Sequence, residues 1–110
     1  MEIIRAICDK ENIHVFMLPE SVLGEETKKR GRHFGLAMSN GKSNAIFMRD
    51  DMGKWEEIHI GAHEIAHILL GHLQPDCTTS REHWEQEANN FASAFLALSM
   101  HREYGGDSNG

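Results

Sequence analysis

Two histidines four positions apart, His63 and His67, with Glu64 next to the first, are the residues of this chain best suited to chemistry. On a helix that pattern is a zinc-hydrolase arrangement. At about 100° per residue the two imidazoles stand one above the other on a single face, close enough to hold one ion, and Glu64 projects beside them where it can reach a water. A catalytic zinc takes three protein ligands and leaves its remaining position open, so a third donor must come from elsewhere. Glu87 is the leading candidate. It lies three positions after Trp84 and four before Phe91, at the margin of an apolar stripe, where a lone carboxylate is costly unless paired or metal-bound. Asp76, Cys77 and His83 remain open as alternatives. Glu85, about 100° from Trp84, and Glu82, almost opposite it, are expected to face water. His59 reads as outer support or surface, His72 as off the metal face, and His14, His33 and His101 as residues without a partner.

The helix that must carry this pair is expected from about Lys54 to Leu73. Ile58, Ala62, Ile65, Ala66, Leu69 and Leu70 form its apolar face, Glu56 and Glu57 suit its positive first turn, and Gly71 supplies the stop. Thr79-Ser80-Arg81-Glu82 has the form of a capping box, so a second long helix should begin there, with the Thr79 hydroxyl as cap. Trp84, Ala88, Phe91, Phe95 and Leu98 make its core stripe, and it should fray near Tyr104. Upstream, Ile3, Ile4, Ile7 and Cys8 have the spacing of a short helix ending near Asn12. Ile13 to Leu18, β-branched and aromatic and stopped by Pro19, predicts a strand at the edge of a sheet. Glu20 to Arg32, with Glu25-Glu26 and the basic cluster of Lys28, Lys29, Arg30 and Arg32, is a solvated connection. Phe34, Leu36 and Met38 alternate with Gly35 and Ala37, which leaves one nearly bare strand face that another element could lie against. Asn40-Gly41 marks a hairpin, and Asn44 to Arg49 is the returning strand. The fold class is therefore α+β: a small antiparallel sheet, an N-terminal helix and two long C-terminal helices carrying the metal site. Residues 1–104 form one domain, and 105–110 read as a flexible tail.

Composition excludes several functions. The 40% hydrophobic and 25% charged content is that of a globular chain rather than a disordered one, and the net charge of -6 argues against a nucleic-acid-binding surface. The opening residues lack a secretory apolar run, and no stretch is long enough to span a membrane, so a cytoplasmic location is expected. Cys8 and Cys77 lack paired spacing and are expected to stay unlinked.

The run His63-Glu64-Ile65-Ala66-His67-Ile68-Leu69-Leu70-Gly71-His72, followed by Glu85-Gln86-Glu87-Ala88-Asn89-Asn90-Phe91-Ala92, resembles the ImmA/IrrE family of bacterial and phage metallopeptidases. The second run is the more specific, and the likeness covers roughly residues 1 to 100. It implies a zincin-like core of gluzincin type, in which His63, His67 and Glu87 bind one zinc per chain and Glu64 is the catalytic base. It also implies a protein substrate, a DNA-binding repressor of the helix-turn-helix type, cleaved in stress responses or mobile-element induction. Many members carry a further helix-turn-helix or sensory domain that these residues lack, so a switching signal would act on the small domain, a partner or the substrate. A group to stabilise the oxyanion is left open among Tyr104, His83, His33 and Arg102. Substrate is expected to lie extended along the Asn44 to Met48 strand. The rival reading is an anti-repressor that binds zinc and sequesters its partner without cutting it, a role for which a base at Glu64 has no use. A structural zinc site would be closed by four ligands and rich in cysteine, which this one is not.

Overall fold

A computed structural model of the chain describes residues 2–23, 35–73, 77–78 and 80–104. Ile4 and Cys8, one turn apart and wholly buried, give α1 (Glu2–Lys10) its inward face. Burial, with Asp9 beside it, pushes the Cys8 thiol up to about 11, and both Cys8 and Cys77 are free. The chain leaves α1 where Asn12 adopts a left-handed backbone, φ 58°, a conformation that asparagine tolerates better than most residues. β1 (Ile13–Leu18) follows, with Ile13, Val15 and Met17 turned toward the helices.

β2 (Gly35–Ser39) and β3 (Asn44–Arg49) form the hairpin that Asn40-Gly41 announces. Asn40 Oδ1 accepts the N–H groups of Lys42 and Ser43 at 2.9 and 2.7 Å, which closes the turn. The strand order is β1-β3-β2, with β3 antiparallel to β2 but parallel to β1. The α+β class is thus as expected, while the sheet is mixed rather than wholly antiparallel. Alternating side chains look the same whichever way a strand runs; here β2 carries the chain back, and β3 then runs parallel to β1 in the place between them. One consequence is a correction: β3 lies between two partners, so the Asn44 to Met48 strand has no edge to offer a substrate.

The inner sheet face meets Ile4, Cys8, Ala62 and Ile65 in a single core built on Ile46 and Met48. Burying side chains of this size stabilises by roughly 1.5–3 kcal/mol each. Ala62 and Ile65 belong to α2 (Lys54–Leu69), whose other buried positions include Ile58 and Ala66. α2 ends at Leu69, short of the expected Leu73, and Leu69 and Leu70 are each 46% exposed instead of joining the apolar face. Gly71 is the reason. Its φ of +75° reverses the chain, and the N–H groups of Gly71 and His72 donate to the carbonyls of Ile68 and His67 at 3.2 and 3.0 Å. That pair of bonds is the Schellman closure, which needs a residue free to enter the left-handed region.

α3 (Arg81–Tyr104) starts one residue later than the capping box suggests. Ser80 Oγ accepts the His83 N–H at 3.2 Å and so acts as the cap, while Thr79 lies outside the described residues. Ala88 and Ala92 are fully buried against α2, whereas Phe91 is 36% and Leu98 69% exposed. The contact therefore centres on the smallest members of the stripe, where the two helix axes come close, with Trp84 and Phe95 half-buried at its margin and Phe91 and Leu98 outside it. Residues 24–34, with the acidic pair, the basic cluster and Phe34, and the tail at 105–110 lie outside the described residues.

Candidate metal centre

α2 presents His63, Glu64 and His67 on the side that faces both β2 and α3. Glu64 and His67 are 2% and 1% exposed. The bare face of β2 explains how a carboxylate fits there: a methyl group added at Gly35 would stand 2.7 Å from Ile60 Cγ2 and 3.3 Å from Glu64 Oε2. Only a residue without a side chain lets the strand pass this close to Glu64.

The downstream carboxylate that meets the imidazole pair is Glu85, where the sequence reading expects Glu87. His63 Nε2 and His67 Nε2 are 3.1 Å apart, and each lies 3.2 Å from a Glu85 oxygen, Oε2 and Oε1 respectively. The cause is the rotation of α3. Taking the buried face from Ala88 and Ala92 rather than from the aromatic residues turns it by about 60°, which swings Glu85 inward and Glu87 aside. Glu87 accepts instead from His72, Oε1 to Nε2 at 3.0 Å, with His83 Nε2 at 3.7 Å from the same oxygen.

His72, read from sequence as off the metal face, is 2% exposed and touches the site from below. Its Nδ1 is 2.9 Å from His67 Nδ1, and its ring stacks on Trp84 at 5.6 Å and 7°. The available signal was Gly71-His72: a glycine that closes a helix by the Schellman route folds the next residue back under the last turn. Of the other candidates, Cys77 is half-buried and outside the three-residue group, His83 and Arg102 are exposed, and Asp76, His33 and the Tyr104 side chain lie outside the described residues.

His63, His67 and Glu85 form a group that could hold a metal ion, with all ligand atoms within 4.8 Å of one another. The donor set suits one. Bonds of ~2.0–2.1 Å in a tetrahedral zinc site place neighbouring ligand atoms about 3.3–3.4 Å apart, close to the 3.1 Å between the two Nε2 atoms and to the 3.2 Å at which each meets its own oxygen of Glu85. Among the described residues no helix is long and apolar enough to cross a membrane. No curated protein and no solved structure matches the chain. A peptidase family model described as the IrrE N-terminal-like domain matches residues 8–97, which contain every residue of this site. The chain belongs to that peptidase family.

Proposed function

We propose that the protein is a zinc metalloendopeptidase in which His63, His67 and Glu85 hold one zinc ion and Glu64 is the general base. The observation that carries this reading is the triangle of two Nε2 atoms and one carboxylate beside a second, buried carboxylate. When bound, zinc supplies a water acidified from about 15.7 toward ~7 and an electrophile for the scissile carbonyl. Glu64 takes the proton of the attacking water and returns it to the leaving amine, work that is worth about 10²–10⁴ in rate. Burial between α2 and Gly35 holds its carboxylate in one orientation while this happens.

The substrate we propose is a DNA-binding repressor, as the family likeness suggests, bound as an extended segment along the outer edge of β2. Among the described residues β2 pairs only with β3. Asn40 and Ser43 are hydrogen-bonded across the turn, so by alternation Gly35, Ala37 and Ser39 direct their N–H and carbonyl groups outward. That edge runs beside Glu64, the position a cleaved peptide must reach.

Glu64→Gln decides between cleavage and sequestration. It should retain zinc and fold and lose peptide-bond cleavage, measured by mass spectrometry on a candidate repressor. Repressor inactivation at wild-type level in that variant would end the proteolytic reading in favour of the anti-repressor.

A further inference from the structure

His67 uses both of its ring nitrogens, and that fixes how protons are distributed behind the site. Nε2 faces His63 and Glu85 at 3.1 and 3.2 Å, while Nδ1 faces His72 Nδ1 at 2.9 Å. A ligand nitrogen must be bare, so when Nε2 binds metal the single proton of a neutral His67 sits on Nδ1. A hydrogen bond between two ring nitrogens contains one proton, so His72 Nδ1 must then accept and its own proton must lie on Nε2. That atom faces Glu87 Oε1 at 3.0 Å. Every bond in the row therefore points the same way, from the ligand through His72 to a carboxylate that can only accept.

We infer that His72 is a positioning residue for the metal ligand His67, locked in one tautomer by Glu87 and so holding His67 Nε2 toward the ion. This rests on the metal reading above and adds a role for two residues that the ligand set leaves aside. Three features make the placement rigid. The Schellman closure ties His72 N–H to the His67 carbonyl at 3.0 Å, so backbone and side chain of the same two residues are bonded together. The Trp84 ring lies parallel to the His72 imidazole and fixes its plane. At 2% exposure His72 has no room to turn. Glu85 and Glu87 of α3 thus divide the work: Glu85 faces the ion, and Glu87, two residues on, orients the histidine behind it. Partners of this kind that orient ligands are worth about 10- to 100-fold in metal affinity.

Zinc affinity, measured by competition with a chelator, tests the inference without reference to catalysis. His72→Phe keeps a ring for Trp84 to stack on but removes both nitrogens, and it should weaken zinc binding about 10- to 100-fold; Glu87→Ala should weaken it about tenfold. Glu87→Gln, which still offers an oxygen to His72, should bind within about threefold of wild type, whereas Glu87→Met, of similar size but without that acceptor, should weaken binding about tenfold, a split that a purely packing role would not predict. In the zinc-loaded protein, nitrogen NMR should find His67 Nδ1 protonated and coupled across the hydrogen bond to a bare His72 Nδ1. Zinc affinity of folded His72→Phe equal to wild type, or a bare His67 Nδ1, would overturn the inference. Should His72→Phe fail to fold, Glu87→Ala decides alone, and unchanged affinity there overturns it. A wild-type chain that binds no zinc would instead bring down the metal reading itself, which is a different result.

Discussion

α2 and α3 both contribute to the site, but they are held in place by opposite means. On α2 two of the three residues that would do the chemistry are among the most buried: Glu64 and His67 lie beside Ile65 and Ala66, all at 2% exposure or less, with His63 only partly covered. On α3 the buried positions are two alanines, and the carboxylates that meet the histidines stand at the edge of the contact, with side chains 35% and 39% exposed for Glu85 and Glu87. The difference teaches that α2 fixes where the imidazole pair is, whereas the rotation of α3 fixes which carboxylate faces it. Close approach through small side chains makes that rotation definite, because interiors packed at crystal-like density tolerate few alternatives.

The largest effects should come from breaking the α2 side. His63→Ala and His67→Ala should each abolish stoichiometric zinc, read by metal analysis, and lower the melting temperature of the metal-loaded protein, since an ion that binds only the folded chain stabilises it. Gly35→Ala is next: a methyl that close to Ile60 and Glu64 must displace one of them, so cleavage should fall by at least about tenfold with zinc retained, as expected for a misplaced base. On the α3 side, Ala88→Leu should cost about 1–3 kcal/mol by overpacking and weaken zinc binding as well, because it pushes Glu85 away. Equal zinc affinity in that variant would show that α3 can slide without moving Glu85. Ser80→Ala, which removes the cap on His83 N–H, should cost about 1 kcal/mol in denaturant unfolding with the site intact. Smallest of all, Leu98→Ser on the exposed flank should shift stability by no more than about 0.5 kcal/mol; a larger loss would mean that this face is covered.

Much of this was legible in the sequence where one signal dominated. Gly35 and Ala37 on a strand announced a bare face, and α2 lies against it. Asn40-Gly41 announced the hairpin. Legibility failed where the outcome depended on three-dimensional approach. The direction of β1 relative to β3 leaves no trace in alternation, so from sequence a central strand looks like an open edge. The stripe on α3 weighs large side chains heavily, yet Ala88 and Ala92 face α2, and the resulting turn of about 60° brings Glu85 rather than Glu87 beside the imidazole pair. Helical spacing puts His72 off the metal face, but beyond Gly71 the chain no longer follows that spacing.

The assignment of Glu85 is the central claim, and zinc affinity compared between Glu85→Ala and Glu87→Ala tests it most directly. Loss of a ligand should weaken binding more than about 100-fold in Glu85→Ala, while Glu87→Ala, losing only outer support, should still bind one zinc about tenfold more weakly. The reverse order, with zinc lost in Glu87→Ala and kept in Glu85→Ala, would contradict the account and restore Glu87 as the third ligand.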